Sequence, residues 1–443
     1  MQYSPSRRTA LVLCGTGAHG AYHAGVLRAL QEAGVKIDVV AGQGMGAAAA
    51  VLAAIDGAPR LWEPAPAGIW TSPASMAFYS LTLPIRMLRW TALALFVVLL
   101  MPLGLLVSGM AVSPAAARLL VIAVAALLVA IGVVVAGASW RPQMRKRRAF
   151  GQAWWGLAGA PFEPGLAIEA FSAAVWQLIR GASRATQPNG DAGRRYAEVL
   201  GENIGQPGFR ELMIVATDLD SRGDVVAAML REPYRRDFIA PRPGRERRGE
   251  VLDLAGLGRD HALDVMSAAL TPPVACEPHL VTFAPDGYWR GETHRLCGPP
   301  GSIVRLFEEL AGAGVSQLIA VTAAPAVGAP HRLRVPRLNL RSRLGEFITA
   351  AEATALRDAV DLAQLRYDAF YVICPSHNPV GPFDLNGAYD EASDRRHSTT
   401  ELMERAYEDA YRQFIEPVVG ASGEMIAHGS RHRDRSRGLP EAH

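Results

Sequence analysis

The first fifty residues contain two apolar strand segments, each followed by a glycine-rich turn and a helical run. Residues 10–14 lead into the loop at 15–20, and residues 37–41 lead into the turn at 42–46 and an alanine-rich helix. This order predicts an α/β fold, because parallel strands need a crossover connection between them. Backbone N–H groups at both helix N-termini would point into one crevice beyond the strand ends. We expect the functional site in that crevice.

Further segments continue the α/β pattern toward the end of the chain. Apolar runs predict strands over residues 209–217, 318–322 and 369–374, and a helical pattern over residues 344–366 separates the last two. Half of all residues are hydrophobic, which suffices for a sizeable core. The sequence therefore predicts a large α/β domain with a mainly parallel sheet.

The loop at residues 15–20 fits the G-x-G-x-x-G pattern of dinucleotide-binding folds. Such a fold also requires an acidic residue at the end of the second strand, where it binds the ribose hydroxyls. The candidate, Asp38, lies at the start of that strand instead. Nucleotide binding is therefore the third of three functional hypotheses.

The two turns also fit an oxyanion hole followed by an elbow that presents a nucleophile. They read G-T-G-A-H-G over residues 15–20 and G-Q-G-M-G over residues 42–46. Here the chain resembles the patatin-like phospholipases, whose loop reads G-G-G-x-[RK]-G and whose elbow reads G-x-S-x-G. Residues 216–221 and 267–273 resemble two further family segments in the same order. The resemblance implies a three-layer α/β fold, a role in lipid metabolism, and ester hydrolysis by a serine–aspartate dyad.

Both catalytic positions of the family are degenerate in this chain. Gly44 occupies the serine position and has no side chain. Arg290 occupies the position of the aspartate in the later D-G-[GA] turn, and a guanidinium stays protonated and cannot act as a base. A shifted loop would make Asp286 an alternative base, although its Pro-Asp-Gly-Tyr context is also typical of an ordinary turn. Among substitute nucleophiles, we interpret Cys14 as a packed thiol and Thr16 as a residue that shapes its loop.

The resemblance also implies the remaining site residues. His19 replaces the family's loop cation, and a solvated loop histidine is the alternative interpretation. Glycine at the elbow would remove a backbone strain of about 1–3 kcal/mol. The predicted oxyanion or ligand-binding residues are Gly15, Thr16, Gly17, His19, Gly20 and Met45, and the elbow comprises Gly42, Gly44 and Gly46.

Two long apolar runs follow residue 85. Residues 90–112 and 115–138 are each long enough to cross a bilayer core of about 30 Å. Ser113 and Pro114 would form the turn between them, and basic residues flank both outer ends, which places those ends in the cytoplasm by the positive-inside rule. A long buried core helix is the alternative. We predict a transmembrane hairpin over residues 86–148 that holds the crevice against the inner leaflet.

Charge and cysteine content exclude several other classes. The net charge is only +3, from 45 basic and 42 acidic residues, so nucleic acid is not expected as a partner. The 4 cysteines lie far apart without a C-x-x-C motif, which indicates neither a zinc site nor a disulfide framework. We expect no cofactor and no metal ion. Membrane lipids are the expected partners, and the sequence specifies no protein partner.

The predicted organisation has four parts. Residues 1–85 form the first part of the patatin-like domain, residues 86–148 the hairpin, residues 149–418 the second part of the domain, and residues 419–443 a disordered basic tail. The α/β domain and both termini are expected on the cytoplasmic side of the inner membrane.

Three functions follow from these observations. The first is a membrane-anchored pseudoenzyme of lipid metabolism that binds lipid or acyl groups in a crevice without the dyad. The second is an active acyl hydrolase with a non-standard nucleophile or an activated water, with Asp286 as the base. The third is nucleotide binding through the glycine loop.

Overall fold

The computed structural model describes residues 3–107, 114–139, 159–181, 191–240, 249–287, 289–325, 339–391 and 393–420. The strands are β1 (Thr9–Gly15), β2 (Val39–Gly44), β3 (Ser80–Leu81), β4 (Phe162–Glu163), β5 (Glu211–Asp218), β6 (Gly223–Met229), β7 (Gly249–Asp253), β8 (His279–Thr282), β9 (Thr293–Cys297), β10 (Gln317–Thr322), β11 (Ala369–Ile373), β12 (Ala388–Asp390) and β13 (Arg395–His397). The helices are α1 (Gly20–Glu32), α2 (Met45–Ala54), α3 (Leu83–Val107), α4 (Pro114–Ser139), α5 (Gly165–Ile179), α6 (Ala192–Asn203), α7 (Tyr234–Ile239), α8 (Ala262–Ala269), α9 (Ser302–Gly312), α10 (Leu340–Arg366) and α11 (Thr399–Ala410), which a π-helical segment, Tyr411–Gly420, continues.

The central sheet has the order β11-β10-β1-β2-β5-β6-β7, and β9 pairs with both β5 and β8. Strands β11, β10, β1, β2 and β5 pair in parallel, as do β6 and β7. The pairs β5–β6, β5–β9 and β8–β9 are antiparallel. The predicted α/β fold with a mainly parallel sheet is confirmed, and the three later predicted strands correspond to β5, β10 and β11.

Both faces of the sheet are buried at its centre, in β1 and β2. All 7 residues of β1 are buried, as expected for a parallel strand that helices cover on both sides. On one face, Val12, Ala41 and Met213 belong to a core cluster that includes residues of α9 and α10. Helix α2 contacts β1, β2 and β5, and α1 packs along α11. This packing holds the carboxyl ends of β1 and β2 side by side, where Gly15 pairs with Gly44.

The chain divides into two compact units. The first comprises Met1–Tyr79, Pro164–Pro273 and Pro278–His443 and contains the central sheet. The second comprises Ser80–Glu163 and Val274–Glu277. In this second unit β3 pairs with β4, and α3 packs against α4. The predicted insert, residues 86–148, lies within the second unit.

The structure does not confirm the predicted transmembrane hairpin. Over the described ranges, no helix combines enough length with enough hydrophobicity to cross a membrane. The predicted turn at Ser113 and the basic stretch at 141–148 lie outside the described residues, as does the predicted tail beyond residue 420.

Candidate functional site

Strand β2 passes into α2 through a tight turn at Gly44. Its backbone angles, φ 62° and ψ −133°, are ones that residues with a Cβ atom rarely adopt. A Cβ atom here would lie 2.5 Å from the carbonyl oxygen of Gly15, which is closer than real Cβ contacts. Gly42 and Gly46 flank this position and are buried in the same turn. The elbow therefore accommodates glycine and leaves no space for a side chain at its centre.

The glycine loop, residues 15–20, lies against this elbow. Gly15 ends β1 and pairs with Gly44 at the end of β2. Thr16 is extended and precedes a 3-10 turn over Gly17–His19, after which α1 begins at Gly20. The two turns predicted from the sequence are thus neighbours at the carboxyl edge of the sheet.

The side chain of Met45 fills the space beside the loop. A Cβ atom at Gly20 would lie 2.4 Å from Cγ of Met45 and 2.4 Å from Cζ2 of Trp70. Both of these large side chains are buried. The start of α2 is therefore covered by packed apolar groups rather than open to solvent.

A carbonyl group from a distant loop occupies the middle of the glycine loop. The Ala18 N–H donates a hydrogen bond of 2.8 Å to the carbonyl oxygen of Pro382. A Cβ atom at Gly17 would lie only 1.9 Å from the same oxygen. The loop that resembles an oxyanion hole therefore already binds a carbonyl oxygen of its own chain.

His19 is buried, so the alternative of a solvated loop histidine is wrong. Its Nδ1 lies 3.1 Å from Oε2 of Glu352 on α10, which is also buried. A buried carboxylate needs such a partner, because an unpaired charge in the interior is costly. Glu352 was not predicted from the sequence. The one feature that could have indicated it is a carboxylate within an apolar helical stretch.

Two more titratable groups lie beneath the loop. Nε2 of His23 lies 3.0 Å from the carbonyl oxygen of Cys14. Burial lowers the pKa of His23 from its usual 6.5 to about 4, so this imidazole is neutral at pH 7. Burial, followed by the charge of Glu352, raises the pKa of the Cys14 thiol well above its usual value. Cys14 is therefore a packed thiol with no thiolate character.

Three buried polar atoms around the loop have no hydrogen-bond partner among the described residues. They are Oγ1 of Thr16, Nδ1 of His23 and Oε1 of Glu352. Leaving such an atom unpaired costs about 1–3 kcal/mol. A Cβ atom at Gly44 would lie 3.4 Å from the Thr16 hydroxyl, so this hydroxyl lies beside the elbow. No described base is hydrogen-bonded to it, and Thr16 is therefore not activated as a nucleophile.

Asp38 lies at the opposite edge of the sheet. Its Oδ2 accepts a 2.9 Å hydrogen bond from the N–H of Thr9, the first residue of β1. The glycine loop follows the other end of β1. Asp38 therefore does not reach the position from which an acidic residue binds a ribose.

The patatin-like phospholipase family model matches residues 11–230, which include the glycine loop and the elbow. Over these residues the chain is similar to patatin-like phospholipase domains. The crystal structure of VipD from Legionella pneumophila is similar to this chain, with a TM-score of 0.33 and 13% sequence identity, covering 93% of this chain and 67% of that one. A search of curated proteins found no match. The family supports a lipid-related function.

The two residues considered for the base of the patatin-like dyad lie on the surface. Arg290 and Asp286 belong to the connection between β8 and β9, and both are exposed. The elbow at Gly44, in contrast, is buried. Neither residue therefore lies in buried surroundings like those of the elbow.

A buried acid–base pair instead joins β5, the strand next to β2, to β9. Oδ2 of Asp218, the last residue of β5, lies 2.5 Å from Nδ1 of His294 on β9. The rings of Phe283 and Trp289 pack against His294 at centroid distances of 5.4 and 5.0 Å. Burial lowers the pKa of His294, but hydrogen bonds to Asp218 and Glu292 outweigh that effect and raise it. Sequence reasoning missed the pair, although Asp218 belongs to the family-like segment 216–221.

Proposed function

We propose that this patatin-like protein has a lipid-related, non-catalytic function, in which the crevice beside the elbow binds lipid or acyl groups. Family membership of residues 11–230 supports the lipid-related part. The chemistry of the elbow supports the non-catalytic part.

The observation that carries the proposal is the contact between the elbow and the glycine loop. Acyl transfer by the family's mechanism needs a side-chain nucleophile at the elbow. Gly44 supplies none, and even a Cβ atom there would lie 2.5 Å from the Gly15 carbonyl oxygen. The backbone of the glycine loop therefore occupies the space that a serine side chain would need.

The substitute nucleophiles do not restore this chemistry. The pKa of the Cys14 thiol is raised by burial, and the thiol form is a poor nucleophile. The hydroxyl of Thr16 is buried and has no hydrogen-bond partner among the described residues. These properties favour binding over the alternative of an active hydrolase, and the position of Asp38 disfavours nucleotide binding.

The proposal includes contact with membrane lipids at the cytoplasmic face of the inner membrane. Large apolar side chains are exposed along the second unit, among them Trp90 and Phe96 on α3 and Ile122 and Leu128 on α4. Exposed apolar surface of this kind is typical of contact with a membrane or a partner. Recovery of the expressed protein in the membrane fraction, and its release by detergent but not by salt, tests this part.

The full-length protein should bind a fluorescent fatty acid, such as nitrobenzoxadiazole-labelled dodecanoic acid, without hydrolysing p-nitrophenyl butyrate or a phospholipid in detergent micelles. Turnover that is abolished by Asp286→Asn would instead support the hydrolase with a shifted base. Asp358→Asn, which changes an exposed carboxylate on α10, is the matched control. Turnover that persists unchanged in both variants would point to a contaminating esterase.

A further inference from the structure

The segment at residues 378–387, here named the plug loop, inserts Pro382 between two glycines. The Pro382 carbonyl oxygen accepts the 2.8 Å hydrogen bond from Ala18 and lies where a Cβ atom at Gly17 would collide with it. A Cβ atom at Gly345 of α10 would lie 3.4 Å from Cδ of Pro382. Pro382 therefore lies close to two glycines that are far apart in the chain.

Polar contacts within the plug loop hold that carbonyl in place. Nδ2 of Asn378 donates to the carbonyl oxygen of Ala323 at 2.9 Å, and its Oδ1 accepts from Val380 N–H at 3.0 Å. Oδ2 of Asp384 accepts from Gly381 N–H at 3.1 Å, and Asp384 N–H donates back to the Gly381 carbonyl at 3.0 Å. The turn that carries Pro382 is thus closed on both sides.

An aromatic side chain anchors the plug loop in the core. Phe383, next to Pro382, is 1% exposed, and its ring packs edge to face against Tyr79 at 5.5 Å. Burial of such a ring is a main stabilising contribution, so Phe383 stabilises the plug loop in this position.

We infer that the plug loop is an internal ligand of the glycine loop and that an acyl group binds by displacing the Pro382 carbonyl. An amide carbonyl and an ester or carboxylate oxygen accept the same N–H hydrogen bond, so the two compete for Ala18. The inference rests on the proposed acyl-binding function. The apparent affinity for an acyl ligand then equals the intrinsic affinity reduced by the fraction of molecules with the loop displaced.

Phe383→Ala tests the inference by weakening the anchor. Titration of the full chain with nitrobenzoxadiazole-labelled dodecanoic acid should give binding about tenfold tighter than wild type, because the open fraction rises. The matched control is Phe414→Ala, which truncates a ring equally buried at 1% that packs against Tyr3 and Tyr371 instead. This control should bind as wild type does.

Amide hydrogen exchange tests the loop without any ligand. Gly17→Ala places a methyl group on the position of the Pro382 oxygen, so peptides covering residues 378–387 should exchange faster. Gly34→Ala is the control, since Gly34 has a similar φ of +62° against +58° but no atom within 4 Å of its Cβ position. The control should leave exchange of the plug loop unchanged.

The outcomes separate the two proposals. Equal affinity in wild type, Phe383→Ala and Phe414→Ala would overturn the displacement and leave the acyl-binding function standing. Faster exchange of the plug loop without fatty acid binding in any variant would overturn the acyl-binding function itself. Tighter binding by Phe383→Ala together with faster exchange in Gly17→Ala would support both.

Discussion

Restoring the family serine by Gly44→Ser should destabilise the protein without creating an esterase. The new Cβ atom would lie 2.5 Å from the Gly15 carbonyl oxygen, whereas real contacts essentially never fall under 3.0 Å. The two turns would therefore have to separate by about 0.5 Å or more at a point where β1 and β2 pair.

The size of the effect follows from two contributions. A residue with a Cβ atom in a strained backbone region costs about 1–3 kcal/mol. Forcing a tightly packed interior to move costs about 1–3 kcal/mol more. Gly44→Ser should therefore lower the free energy of unfolding by about 2–6 kcal/mol. The control Gly34→Ser has the same φ of +62° in open space and should cost only about 1–2 kcal/mol.

Urea unfolding, followed by tryptophan fluorescence, gives the unfolding midpoints of the two variants. Hydrolysis of p-nitrophenyl butyrate and labelling by a fluorophosphonate probe measure the reactivity of the new serine. We expect a clearly lower midpoint for Gly44→Ser than for Gly34→Ser and no turnover, also after adding Arg290→Asp. Equal midpoints together with esterase activity in Gly44→Ser would refute the closed elbow. The protein would then be a patatin-like enzyme that had lost only its nucleophile.

Two further predictions concern stability. Arg8→Ala should lower the free energy of unfolding by about 3 kcal/mol, because it breaks a buried ion pair with Glu211. This value is near the lower end for such a pair, since Arg231 still contacts Glu211. The control Arg28→Ala breaks an exposed pair and should cost under about 1 kcal/mol, and urea midpoints measure both variants. Because the pKa of His23 is about 4 in the folded protein and 6.5 unfolded, stability should fall by about 3 kcal/mol as pH decreases through that window, and urea midpoints of a His23→Gln variant should lack this component.

The local hydrophobic pattern of the sequence was sufficient to predict several strands of the central sheet. The predicted strand at 318–322 differs by one residue from β10, Gln317–Thr322, because a buried parallel strand is apolar throughout. The second strand was predicted at 37–41 but β2 is Val39–Gly44, because Gly42 and Gly44 continue the ladder although glycine is typical of turns. The change from strand to helix between Gly44 and Met45 falls within the predicted turn, whereas the predicted end of the strand lies before Gly44.

Only part of the candidate site could be predicted from the sequence. The loop at 15–20 and the elbow at 42–46 follow strands within one short stretch, so their adjacency could be inferred from the rules of parallel sheets. The buried partner of His19 could not, because Glu352 lies 333 residues away on α10. Asp218 and His294 likewise meet only because β9 returns antiparallel to β5.

The sequence alone predicted that a glycine loop and a glycine turn meet at the edge of a parallel sheet and that Gly44, which has no side chain, lies at the centre of that turn, since both depend on residue types at short spacing. Only the tertiary structure decided what lies in that crevice. Pro382 reaches the Ala18 N–H because the chain returns through β11 and the plug loop, and no local pattern encodes a contact over that separation. The free energy of such a contact comes from packing between distant segments, which the folded chain alone brings together.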